Sequence, residues 1–226
     1  MQPYFLPYIG YWQLLSAVDR FVVYDNIQYT KRGWINRKQF LQQGKAAYFT
    51  VPLKSDSDYL EVSARTVAES FDRMKLLRQF TEAYHRAPHF AAVFPILERI
   101  VTAAPINLFE YIHHSIVVIA DYLQIRTPIV VSSSVAIDHG LRAQDKVLAI
   151  CGALGADRYL NTIGGMELYS REAFSARNIK LAFIRTRPIA YAQFGAAFVP
   201  NLSILDVLMF NSRDQARSLL SQYDVA

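Results

Sequence analysis

The sequence predicts an α/β fold on three observations: strand-like and helix-like runs alternate along most of it, three helical runs interrupt that alternation, and no linker divides it. In a chain of 226 residues this pattern argues for one domain over residues 1–226. Parallel βαβ units follow from the alternation, so the expected architecture is Rossmann-like: a parallel or mixed sheet flanked by helices, with a central helical insertion at about residues 69–125.

The elements are read in chain order. Trp12, Leu14, Leu15 and Val18 fall at helical spacing, and Arg20-Phe21-Val22-Val23-Tyr24 is a short β-branched and aromatic strand ending at Asp25-Asn26. Tyr48-Phe49-Thr50-Val51-Pro52-Leu53 reads as a second strand, stopped by a lysine and the turn cluster 55–58. Residues 70–86, 89–103 and 107–124 read as the three inserted helices, separated by Pro88 and Pro105. Strand signals return at 127–131, 158–160 and 180–184, with helices expected at 142–154 and 168–177.

Hydrophobic residues make up 52% of the chain and charged ones 19%, a composition that folds and excludes disorder. The apolar runs 116–120 and 196–199 are far shorter than the roughly 18 to 20 residues of a membrane span. The start lacks the basic and apolar regions of a secretory signal, and the single cysteine, Cys151, suits a reducing cytoplasm; its apolar neighbours make it a buried, inert thiol.

A net charge of +5 matters less than its placement. Residues 26–55 contain no Asp or Glu but hold Lys31, Arg32, Arg37, Lys38, Lys45 and Lys54, and a second acid-free stretch, 173–205, holds Arg177, Lys180, Arg185 and Arg187. Converging in space, the two would create positive potential suited to phosphate or carboxylate; apart, each is a solvated basic face. Apolar content and the lack of a nucleic-acid motif argue against nucleic acid. His85, His89, His113, His114 and His139 form no metal spacing, so no metal site is expected, and no cofactor is named by any motif.

Four segments carry candidate chemistry. Gln2-Pro3-Tyr4-Phe5-Leu6-Pro7-Tyr8-Ile9-Gly10-Tyr11 is a proline-stiffened aromatic loop entering a helix, which suits either an anion at the helix start or packing on the core. Tyr29-Thr30-Lys31-Arg32-Gly33-Trp34-Ile35-Asn36-Arg37 offers cations, an indole, a glycine and an amide after a strand end. Ser132-Ser133-Ser134 follows the strand at 127–131, where hydroxyls can serve a ligand or a plain turn. Gly164-Gly165 follows another strand and permits close backbone approach, a weak signal alone.

The segment 2–11, Phe21-Val22-Val23-Tyr24-Asp25 with 29–37, Thr50-Val51-Pro52, Tyr84 with Ala87-Pro88, Ser132-Ser133 and 202–210 together resemble the WbqC-like proteins. That resemblance covers nearly the whole chain. It implies bacterial surface-polysaccharide (O-antigen) or natural-product biosynthesis, and transfer of glycine onto an amino sugar. Members of that family usually carry a few apolar residues before the QPYFLP motif as a first strand. Here the sequence starts at the motif, so either its start is truncated or that strand lies upstream.

The expected activity is therefore acyl (glycine) transfer to an amine of a sugar nucleotide or similar anionic substrate. Asp25 is the expected general base and Lys31 its catalytic partner, with Lys31 and Arg37 holding phosphate or carboxylate and Gln2 and Asn36 orienting the acceptor. Tyr4, Gly10, Trp34, Ser132 and Ser133 complete the expected substrate site. The alternatives are a non-catalytic sugar- or nucleotide-binding module and a nucleotidyltransferase-like enzyme; the layout suits the latter, but the first loop lacks its histidine pair. A homo-oligomer is compatible with the sequence.

Overall fold

The computed structural model describes residues 1–195 and 197–226; Ala196, at the start of the apolar run 196–199, lies outside the described residues. Helix α1 (Ile9–Ser16) leads to strand β1 (Phe21–Val23), and the hairpin β2 (Arg37–Gln42) and β3 (Lys45–Thr50) follows. The hairpin turns on Gln43 and Gly44 with φ of 51° and 73°, the paired left-handed conformation that matches the twist of a two-residue hairpin.

Helices α2 (Arg73–Tyr84), α3 (Phe90–Val101) and α4 (Leu108–Tyr122) form the inserted block. Asp72 and Asn107 cap α2 and α4, accepting from the backbone N–H groups of Lys75 and Glu110. Pro88 and Pro105 fall between helices, whereas Pro95 sits inside α3, which forgoes one backbone hydrogen bond there. Phe40 and Phe49 of the hairpin meet the edge of Phe80 at 5.4 and 5.0 Å, and Phe5 of the entry loop stacks on Tyr111 of α4 at 5.1 Å. The block thus shares the core of the first quarter. Phe80 is fully buried, so Phe80→Ala should destabilise by about 3 to 5 kcal/mol.

The second half adds β4 (Ile129–Val131), α5 (Ala143–Ala153), β5 (Arg158–Thr162), a 3-10 segment (Ile163–Leu168), α6 (Arg171–Ser175), β6 (Lys180–Thr186), α7 (Ile204–Phe210), α8 (Arg213–Ser218) and β7 (Tyr223–Val225). β1 pairs in parallel with β4, β5 in parallel with β6, and β6 antiparallel with β7. The fold is a mixed α/β arrangement of small parallel and antiparallel sheets flanked by helices; the sheet expected as one Rossmann-like unit is instead divided into three.

The division has a physical reason. Between the edges of β1 and β5 lies a groove of about 410 Å³, walled by Leu14 and Val18 on the α1 side and by Val147, Ile150 and Cys151 of α5. Met1 lies along the edge of β1: its amine donates to Val22 O at 2.7 Å and its carbonyl accepts from Tyr24 N at 2.9 Å, as a neighbouring strand would. Burial there pulls the amine down from 8.0 to about 5. β1 and β5 therefore stand in line without pairing, and their carboxyl ends open into one cleft.

Candidate functional site

A cavity of about 720 Å³ lies at the carboxyl ends of β1 and β5, where parallel α/β units hold ligands. Its walls come from the entry loop (Gln2, Tyr4, Tyr8), the end of β1 (Tyr24), the hairpin segment (Trp34, Lys38), α5 (Lys146), and β5 with the segment after it (Tyr159, Asn161, Gly164, Gly165, Tyr169). No Asp or Glu is among the lining residues, so two lysines face an aromatic enclosure without a counter-charge.

The entry loop is shaped by its small residue. A Cβ on Gly10 would lie 2.5 to 2.6 Å from the Tyr8 ring, so only glycine lets that ring fold over the start of α1. Lys38 Nζ then sits 5.0 Å from the Tyr8 ring centre and 4.6 Å from that of Trp34. Burial lowers the Lys38 ammonium from 10.5 to about 8, close to the range in which an amine exchanges protons at neutral pH. Lys146, which α5 contributes to the wall, is buried, its Nζ donating to Asn26 O at 3.0 Å and lying 5.8 Å from the Tyr24 ring centre.

Among the residues expected at the site, Gln2, Tyr4 and Trp34 line this cavity, and the Tyr4 hydroxyl donates to Gln2 Oε1 at 2.9 Å. Gly10 lies behind it, under Tyr8. Lys31 is exposed and pairs with Asp58 at 3.4 Å. Asn36 is buried between the hairpin and its approach, accepting from the Tyr29 hydroxyl at 2.9 Å and donating to Val51 O at 2.8 Å. Arg37 donates to the carbonyls of Gly33 and Arg32, with its guanidinium 5.7 and 5.1 Å from the ring centres of Trp34 and Tyr48.

Asp25 joins the ends of β1 and β4: its Oδ1 accepts from Ser132 Oγ at 2.8 Å and from Ser133 N at 3.0 Å. Burial opposes its ionisation, but the hydrogen bonds from Ser133 and Ser132 prevail and hold the carboxyl below its ordinary value, which makes it a weaker base. Lys31, Asn36, Arg37, Asp25, Ser132 and Ser133 are absent from the cavity wall.

The reading of the sequence did not single out Tyr8, Lys38, Lys146, Tyr159, Asn161 or Tyr169. For the last three the signal was the glycine pair after a strand: a Cβ on Gly165 would lie 3.2 Å from Asn161 Nδ2 and 3.6 Å from the Tyr169 ring. Among the described residues no cluster of His, Cys, Asp or Glu could hold a metal ion, and no helix is long and apolar enough to cross a membrane.

The chain is similar to the uncharacterized protein Rv1507c of Mycobacterium tuberculosis (strain ATCC 25618 / H37Rv), with 26% identity over 223 residues that cover 97% of this chain and 95% of the other. No solved structure matches it. A family model matches residues 2–218, a span that includes the entry loop, the hairpin and both cleft lysines, and the chain therefore belongs to the WbqC-like protein family.

Proposed function

We propose that the chain is a transferase that acylates an amine carried by a sugar nucleotide or a related anionic substrate, glycine being the acyl group suggested by the family resemblance. The observation that carries this reading is the acid-free aromatic cleft with one buried and one half-buried lysine at the carboxyl ends of parallel strands. Aromatic walls stack on a planar base or on the apolar face of a sugar, and uncompensated cations favour phosphate. Lys146, fixed by Asn26 O, serves as the charge that positions the substrate. Lys38, with its ammonium at about 8, supplies the neutral amine that takes the acceptor nitrogen's proton as that nitrogen attacks. Gln2 and Tyr4, already hydrogen-bonded to each other, orient the acceptor.

The resemblance to proteins of bacterial surface-polysaccharide biosynthesis supports an amino sugar as the acceptor. The test is incubation of the protein with nucleotide-linked amino sugars and an activated glycine, read by mass spectrometry. The expected result is a glycyl adduct of the sugar that Lys38→Met fails to form. Binding of the sugar nucleotide with no adduct under any donor would replace transfer by recognition alone, and no binding would remove the reading.

A further inference from the structure

At the carboxyl end of β5, Asn161, Tyr159 and Tyr169 form a closed hydrogen-bond group on the cleft wall. Asn161 Oδ1 accepts from Thr162 N at 2.8 Å, which fixes the amide so that Nδ2 faces both phenols, 3.1 Å from the Tyr159 hydroxyl and 3.3 Å from that of Tyr169. The Tyr159 hydroxyl donates to Tyr169 at 3.3 Å. The rings are held by packing: Tyr159 stacks on fully buried Phe174 at 5.4 Å, and Tyr169 meets Phe174 edge-on at 5.8 Å.

Counting protons exposes a surplus. The group has two hydroxyl protons but one hydroxyl-to-hydroxyl contact, and Asn161 Nδ2 can only donate. Whichever way that contact points, one phenolic proton remains without an acceptor among the described residues. With Tyr159 as donor, the remaining proton belongs to Tyr169, whose oxygen already accepts from both Tyr159 and Asn161. Such double acceptance polarises its O–H bond and strengthens it as a donor.

We propose that Tyr169, backed by Tyr159 and Asn161, donates a hydrogen bond to a carbonyl oxygen of the ligand. A phenol donor on the wall of this cleft suits an uncharged oxygen that gains charge during reaction, while the lysines of the same cleft suit a phosphate. The inference rests on the transferase reading for its role in the reaction. There the acceptor nitrogen bonds to the carbonyl carbon of an activated acyl donor, the C=O π pair moves onto the oxygen held by Tyr169, and Lys38 takes the nitrogen's proton. As the pair returns, the bond to the leaving group breaks; the leaving group departs with its electrons and receives that proton. Gly165 is part of the device, because a side chain there would press on Asn161 Nδ2 at 3.2 Å.

The experiment compares wild type with Tyr169→Phe, titrating each with a nucleotide-linked N-acetyl amino sugar and with the same sugar bearing a free amine. Wild type should prefer the acetylated sugar by roughly three- to tenfold, the worth of one hydrogen bond, and Tyr169→Phe should lose the preference. Retention of the preference by the variant, or its absence from wild type, overturns the inference. If wild type binds neither sugar nucleotide, the transferase reading fails, and the carbonyl site is read separately from the ring-carbon NMR signal of 13C-labelled Tyr169 with acetamide as the probe. A saturable shift of that signal upholds the site, and an unmoved signal removes it.

Discussion

Lys31 and Lys38 are seven positions apart in one acid-free stretch, and the fold gives them opposite surroundings. Lys31 stands in solvent opposite Asp58, both side chains more than half exposed, so water screens the pair and little is gained or lost by it. Lys38 lies across Tyr8 and Trp34 with no acid on the cleft wall, and desolvation brings its ammonium down to about 8. Identical side chains thus become a solvated charge and a poised amine. On the proposed reading, which of them does chemistry is decided by burial and by the absence of a counter-ion, neither of which charge counting reveals.

The largest effects that sharpen this contrast belong to the two cleft lysines: Lys38→Met should abolish glycyl transfer, and Lys146→Met should weaken sugar-nucleotide binding by roughly ten- to a hundredfold, the worth of a charge-assisted hydrogen bond. Because burial disfavours the Lys38 ammonium, wild type should also gain stability as pH rises from about 8 to 10.5, a gain that Lys38→Met lacks. Smaller again is Arg37→Ala, which removes donors to two loop carbonyls: about 1 to 2 kcal/mol of stability should be lost, with ligand affinity retained. Lys31→Ala should be the quietest, within about 0.5 kcal/mol in thermal unfolding and without effect on binding. A loss of transfer in Lys31→Ala equal to that of Lys38→Met, or a binding defect equal to that of Lys146→Met, would erase the contrast.

Much of the fold was legible because periodicity and proline placement report on local structure. The helices at 70–86, 89–103, 107–124 and 142–154 and the strands around Val22, Val130, Leu160 and Ala182 are found close to where the patterns put them. β2 was missed because Arg37-Lys38-Gln39 reads as a basic loop, and its strand character comes from pairing with β3. The division into three sheets was not legible either, since pairing between strands far apart in sequence leaves no mark on local periodicity.

Less of the candidate cleft was legible. Gln2, Tyr4 and Trp34 stood out as aromatic and amide groups on a rigid loop and a basic turn, and they line the cleft. Arg37 and Asp25 attracted the same attention through charge, and their partners here are backbone carbonyls and serine donors. Tyr159 and Tyr169 are ordinary tyrosines in the sequence; only the closeness of their hydroxyls to Asn161 gives them a joint role.

The central claim is that the acid-free aromatic cleft, and not the exposed basic loop, binds the anionic substrate. Calorimetric titration of nucleotide-linked amino sugars into wild type, Lys146→Met and Lys31→Met at one ionic strength tests it most directly. The account predicts saturable binding by wild type, an affinity for Lys31→Met within about twofold of it, and a loss of roughly ten- to a hundredfold for Lys146→Met in a protein that still unfolds cooperatively. Equal affinities for all three proteins, or a loss confined to Lys31→Met, would contradict it.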